Sequence, residues 1–163
     1  MPTEAPEQHH NHQHCIDEAL QRARQICAAR GARLTPIREH VLSLIWESHK
    51  PVGAYSLLES LDAQSERRST PPTVYRALDF LLEQGLVHRI ASLNAFVGCA
   101  DPSHRHSGHF LICRHCNTAI ELDAEAIDSA IRQAAEGRGF HAEEQCVEVV
   151  GSCQRCQEQP ESA

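Results

Sequence analysis

The chain has 163 residues, with 15 Lys and Arg against 22 Asp and Glu for a formal charge of −7, and it carries 12 His and 8 Cys. No window approaches the roughly 18 apolar residues of a membrane span, and Met1-Pro2-Thr3-Glu4-Ala5-Pro6-Glu7 lacks the basic and apolar regions of an export signal, so a cytoplasmic protein with reduced cysteines is expected. The overall charge hides an asymmetry: residues 1–20 sum to −4, residues 21–91 to +3 and residues 92–163 to −6, which puts any phosphate-facing surface between Gln21 and Ala91.

Residues 1–14 are polar, contain His9, His10, His12 and His14, and read as a disordered tail. From Ile16 the residues Ile16, Ala19, Leu20, Ala23, Ile26 and Cys27 recur at three- and four-residue steps, predicting an amphipathic helix that ends near Gly31, with Cys27 in the core. Thr35-Pro36 is a helix start, and Ile37, Val41, Leu44, Ile45 and Trp46 form the apolar face of a second helix. Ala54 to Leu61 predicts a short third helix. A loop with Arg67 and Arg68 leads into Thr70-Pro71-Pro72, which opens a fourth helix with Val74, Leu78, Leu81 and Leu82 inward and Gly85 as its stop. Leu86 to Ile90 and Ala95 to Val97 predict a hairpin around Ser92-Leu93-Asn94, completing three helices and a two-stranded wing after the first helix.

Residues 99–108 have the composition of a hinge. Beyond it, Phe110 to Ile112, Ala119 to Leu122 and Cys146 to Val150 predict strands and Ala124 to Glu136 a helix. About 55 residues with few large apolar side chains need a metal staple and a partner chain. The expected fold is therefore α+β: a winged helix-turn-helix domain over 15–98, the hinge, a small α/β dimerisation domain over 109–157, and a tail over 158–163.

The staple is legible in the cysteines. Cys113-x-x-Cys116 and Cys153-x-x-Cys156 each put two sulfurs on one tight turn, and two such turns close a tetrahedral zinc shell with no position left for water. Such a site is structural; it closes a loop with 36 residues between Cys116 and Cys153. His141-Ala142-Glu143 before Cys153 superficially suggests a zinc deaminase, but no proline precedes Cys153 and that reading leaves Cys113 and Cys116 without a role. A second group, His88, Cys99, His104, His106, His109 and Glu121, crowds around the hinge with nitrogen, sulfur and oxygen donors from both sides of it, the pattern of a sensor that locks the angle between two units.

Pro71-Pro72-Thr73-Val74-Tyr75-Arg76-Ala77-Leu78, together with the Cys-x-x-Cys pairs, Arg33-Leu34-Thr35-Pro36 and Leu81-Leu82-Glu83-Gln84-Gly85-Leu86-Val87-His88, resembles the ferric uptake regulator family, and within it the zinc uptake regulator branch. The resemblance runs from about Ile16 to Cys156. It implies a winged-helix domain, a dimerisation domain, and repression of zinc-import genes when zinc binds. It also implies that His88, Cys99, His106 and Glu121 are the zinc-sensing ligands, with His104 and His109 as substitutes for His106, giving two zinc ions per chain. A third site of some relatives would need a histidine near Gln145; this sequence has none there, and His141 is a weak substitute. The same resemblance points to Arg76 and Tyr55 as base-reading residues on a helix in the major groove. Arg33, Arg67 and Arg68 suit phosphate contacts, which position without reading sequence. The expected protein is a non-enzymatic, zinc-loaded homodimeric repressor on an inverted-repeat operator. Its rivals are an iron or peroxide sensor of the same family and, from another class, a zinc-buffering protein.

Overall fold

The computed structural model of the chain describes residues 12–48, 50–64, 68–103, 106, 108–122 and 125–158. Four helices come first: α1 (His12–Ala29), α2 (Pro36–Glu47), α3 (Ala54–Gln64) and α4 (Pro71–Glu83). Their apolar stripes converge on one core in which Ala23, Cys27, Val41, Leu42, Ile45, Leu57, Leu61, Val74, Leu78 and Leu81 are buried. Each fully buried aliphatic side chain of this kind contributes roughly 1.5–3 kcal/mol, so this half of the chain has a core of its own. Between α1 and α2 the Arg24 guanidinium donates to both carboxylate oxygens of Glu39 at 2.7 and 2.9 Å.

The first helix starts earlier than the apolar pattern predicts. Residues 12–14, expected in the disordered tail, belong to α1; Gln13 and His14 are exposed there and make local pairs, Gln13 donating to Asp17 at 3.0 Å and His14 lying 3.4 Å from Glu18. Apolar periodicity registers only the inward face and so begins at Ile16. Residues 1–11, with His9 and His10, lie outside the described residues, as do Arg67 and His104.

Helix α4 ends where Gly85 adopts φ +68°. The Leu86 N–H reaches Leu81 O and the Gly85 N–H reaches Leu82 O, both at 2.9 Å, a left-handed stop that turns the chain directly into the wing. The wing is β2 (Val87–Ile90), a 3-10 turn (Ala91–Leu93) and β3 (Ala95–Gly98), with Asn94 at φ 47°. It has three strands, not the expected two: β1 (Val52–Gly53) pairs antiparallel with β3 through Val52–Phe96 and Gly53–Ala95. A two-residue strand is too short for alternation to show.

The second unit contains β4 (His109–Cys113), β5 (Ala119–Leu122), α5 (Glu125–Glu136), β6 (Val147–Gly151) and α6 (Gln154–Glu158). Its sheet has the order β5-β4-β6, with β4 antiparallel to β5 and parallel to β6. Helix α5 has no buried residue. The buried cluster of this half, Phe110 and Ile112, is completed by Ile90 of the wing, with Leu93, Val97 and Ala119 packed against it. Among the described residues, then, the second unit borrows part of its core from the first.

Candidate metal centres and nucleic-acid face

Strand β4 ends at Cys113, and the chain then folds back on itself: the Asn117 N–H returns to Cys113 O at 2.9 Å, with Asn117 at φ 57°. Asparagine tolerates that left-handed backbone better than most residues. The turn brings Cys116 back toward Cys113, while the parallel strand β6 delivers Cys153 and Cys156 to the same end of the sheet, where the Arg114 N–H holds Gly151 O at 2.9 Å. All four sulfurs lie within 4.8 Å of one another, and Cys116 Sγ and Cys153 Sγ are 3.8 Å apart. Tetrahedral zinc with ligand distances of about 2.0–2.3 Å puts neighbouring donors about 3.3–3.8 Å apart, so the four residues fit that ion. Backbone N–H groups favour the thiolates. The Cys153 N–H donates to Cys113 Sγ at 3.4 Å; it is the main cause, followed by the Cys116 amide, of a Cys113 pKa pulled down to about 5. The Thr118 hydroxyl, 3.1 Å from Cys116 Sγ, likewise lowers the Cys116 pKa. The Cys153 sulfur, then burial, then the Cys116 and Cys113 sulfurs push Cys156 up to about 12; a bound cation would offset these effects.

The second cluster is assembled from four different stretches. His88 comes from β2, Cys99 from the residue after β3, His106 from the hinge and Glu121 from β5, and their ligand atoms also lie within 4.8 Å of one another. His106 Nε2 is 2.7 Å from Glu121 Oε1 and 3.6 Å from Cys99 Sγ. His88 Nε2 is 3.2 Å from the same carboxylate oxygen but out of line for a hydrogen bond, and it is buried without a hydrogen-bond partner. A buried, unsatisfied imidazole nitrogen aimed into a set of N, S and O donors fits a cation. Burial, then the Glu121 carboxylate, pushes the Cys99 thiol up to about 12. Burial also works against the Glu121 charge, but contacts with His88 and His106 outweigh it and hold that carboxyl below its usual range.

Local packing fixes these ligands. The Cys99 N–H bonds Leu86 O at 3.0 Å, and Arg22 of α1 donates to Ala100 O at 2.7 Å, so the chain leaving the wing is held down. At Gly108 a Cβ would lie 2.8 Å from a Phe110 ring carbon and 3.0 Å from His88 Nδ1; only glycine lets the hinge backbone lie against the His88 ring. Sequence reading missed both Arg22 and Gly108, whose roles depend on contacts distant along the chain.

His109, a sequence candidate for the hinge cluster, is drawn elsewhere. It is fully buried, its Nδ1 accepts the Val147 N–H at 2.9 Å, and its Nε2 meets Asp128 Oδ1 at 2.8 Å. Both ring nitrogens are thus engaged by β6 and α5. The reason is strand alternation: His109 and Phe110 point to opposite faces, and Phe110 takes the face that meets the wing. With its NH2 facing Asp128, Gln145 donates to Oδ1 at 3.1 Å, while His141 is exposed.

Arg76 and Tyr75 are exposed on α4, Tyr55 is 72% exposed at the start of α3, and Arg33 and Arg68 are also exposed. A core role for Tyr55 is excluded by that exposure. Arg38, by contrast, is spent on structure, stacking 3.7 Å over the Phe80 ring and donating to Arg33 O. On the second sheet the register pairs Leu111 with Ile120 and with Val149, and all three are exposed. They form an apolar row on the face opposite Phe110. No helix among the described residues is long and apolar enough to cross a membrane.

A sequence model of the ferric uptake regulator family matches residues 29–150. The zinc uptake regulation protein of Escherichia coli (strain K12) is 40% identical over 144 residues, covering 86% of this chain and 82% of that protein. A zinc uptake regulator solved in complex with zinc and DNA superposes with a TM-score of 0.83 at 39% identity, covering 88% and 95% of the two chains. The holo form of XcZur superposes at 0.81 with 43% identity, covering 87% and 99%. The apo form of XcZur, at 42% identity over 88% and 99%, reaches only 0.53. At nearly the same sequence identity, the structure superposes far better on the holo form than on the apo form.

Proposed function

Because the chain belongs to the ferric uptake regulator family, we propose that it is a zinc-responsive transcriptional repressor, binding inverted-repeat operator DNA as a zinc-loaded homodimer to control zinc-uptake genes. The observation that carries the reading is the convergence of His88, Cys99, His106 and Glu121 from wing, hinge and second sheet. A ligand set shared by two units can report metal only by changing how the units are held. The contrast between holo and apo relatives supports the same idea.

In this reading each chain holds two zinc ions. Cys113, Cys116, Cys153 and Cys156 hold the structural one, fastening the chain end to the β4 turn. His88, Cys99, His106 and Glu121 hold the regulatory one; the thiolate among them suits zinc over the oxygen- and nitrogen-rich shells of an iron or peroxide sensor. Zinc held by these four residues would supply Lewis acidity favouring the Cys99 thiolate and a common positive centre for the donors. His88 is then fixed relative to Glu121, and the wing relative to the second sheet. The proposed units are a winged-helix domain over 15–98, a hinge over 99–108 and a dimerisation domain over 109–157, in which Leu111, Ile120 and Val149 face the second copy. With that spacing set, α4 enters the major groove, Arg76 and Tyr55 read bases, and Arg33, Arg67 and Arg68 contact phosphates. A protein of this kind works in the cytoplasm, where its operator is.

If operator DNA prefers the zinc-locked arrangement, DNA must tighten zinc binding by the same factor. A switch from 1:99 to 99:1 requires about 5.5 kcal/mol of differential binding. The test is operator affinity measured at buffered free zinc: a steep rise with zinc is expected, and equal affinity with and without zinc would overturn the reading.

A further inference from the structure

Glu121, Phe110 and Glu148 are register partners across β5, β4 and β6, so their side chains stand in one row on the face of the second sheet that meets the wing. The middle of the row is apolar, with Phe110 buried against Ile90 of β2. One end, Glu121, belongs to the regulatory cluster. The other end, Glu148, also grips the wing, by means that involve no metal ligand: its Oε1 accepts the Ala91 N–H at 2.6 Å and its Oε2 the Ser92 N–H at 2.9 Å. These amides open the 3-10 turn at the tip of the hairpin, where N–H groups have no partner inside the turn. Burial opposes the Glu148 charge, but the contacts with Ser92 and Ala91 outweigh it and keep its pKa below the usual carboxylate range.

We propose that Glu148 is a metal-independent anchor that holds the wing turn against the second sheet and thereby sets how tightly the His88, Cys99, His106 and Glu121 cluster binds zinc. The proposal rests on the regulatory reading of that cluster. The two carboxylates stand on either side of Phe110, one in the ligand set and the other on the wing backbone, and both stabilise the same closed arrangement. What Glu148 contributes to closure need not come from metal binding, so its removal must appear as weaker zinc affinity. A simple turn cap would lack that coupling.

The experiment uses full-length protein and zinc titrated against a chelating dye, so that the exchangeable ion is read without DNA, alongside hydrogen exchange at the Ala91 and Ser92 amides. Glu148→Ala should raise the zinc midpoint about tenfold, as loss of two charge-assisted hydrogen bonds coupled to binding implies. Glu148→Gln, which keeps length and one accepting oxygen, should fall between it and the native chain. Both amides should be partly protected in zinc-free native protein and more strongly with zinc, and lose that protection in Glu148→Ala. A midpoint unmoved in Glu148→Ala, or amides protected only when zinc is present, overturns the anchor. Cys99→Ser separates the two ideas: if it leaves the exchangeable ion untouched, the cluster reading fails, while amide protection in zinc-free protein still decides whether Glu148 holds the wing. If Cys99→Ser loses the ion and Glu148→Ala does not weaken it, the anchor alone is wrong.

Discussion

The two four-donor clusters differ less in chemistry than in what they join. Cys113, Cys116, Cys153 and Cys156 come from the same end of two hydrogen-bonded strands, Cys113 pairing with Gly151 across β4 and β6. Strand pairing brings the two turns together, and an ion held by the four sulfurs would fasten that pairing. His88, Cys99, His106 and Glu121 come from two units and the segment between them, joined by the Phe110–Ile90 contact, the Glu148 grip and the ligands themselves. On the reading proposed above, a metal within one unit would support folding, whereas a metal between units would control their arrangement.

Replacing one residue in each cluster should therefore give different failures. Cys113→Ser is expected to have the largest effect. It removes a thiol held at about 5, leaving three sulfurs and a poor ligand in a unit whose helix α5 has no buried residue. Metal-dependent units of this size commonly lose their fold with the ion, so tightly bound zinc, the dimer and amide protection of β4 and β6 should disappear together. Cys99→Ser should come next: the exchangeable zinc weakens by about 100-fold or more, as for loss of a direct ligand, while mass measurement shows an intact dimer retaining its tight ion. Identical behaviour of the two variants would erase the distinction.

A pH titration sharpens the comparison at smaller amplitude. Burial and Glu121 hold the Cys99 thiol at about 12, so it is protonated throughout the physiological range and zinc binding must release that proton. Raising pH therefore favours binding: the Cys99 contribution should increase apparent affinity at the exchangeable site about tenfold per unit between roughly pH 7 and 9. In the four-cysteine site Cys113, lowered to about 5, is already ionised there, and the proton to be released is that of Cys156, pushed up to about 12. Zinc titrations at several pH values in native protein and Cys99→Ser test this directly, since the serine variant should lose about one proton of the dependence.

How much of this was legible depended on distance along the chain. The Cys-x-x-Cys pairs and the α4 start at Pro71-Pro72 are local, and sequence displays them. Gly85 as the α4 stop is equally local, because a left-handed residue after a helix is a one-position requirement. Strand β1 was missed because Val52–Gly53 acquires its identity only by pairing with Phe96 and Ala95. His109 was grouped with the hinge histidines because composition cannot say which face a strand residue takes; its bonds to Val147 and Asp128 require β6 and α5 to be in place. Glu148 lies 57 positions from the Ala91 amide it binds, and in sequence it is one more acid in an acidic half.

The smallest expected effect lies in the joint itself. Gly108→Ala places a methyl group 2.8 Å from a Phe110 ring carbon and 3.0 Å from His88 Nδ1. Phe110 is 2% exposed and wedged against Ile90, so it yields little and the strain falls on His88 or on the hinge backbone. Either displacement moves a donor by a few tenths of an ångström in a cluster where distances near 3 Å matter, and overpacking of this kind typically costs about 1–3 kcal/mol. Part of that cost should appear as a roughly three- to tenfold weaker exchangeable zinc site. The Cys113, Cys116, Cys153 and Cys156 site should be unaffected, because none of its sulfurs is held through Gly108. A matched loss at both sites would mean that strain at the joint spreads through β4 and that the two clusters are not independent; a loss confined to the exchangeable ion would show that a single hinge methyl can detune the sensor without disturbing the structural site.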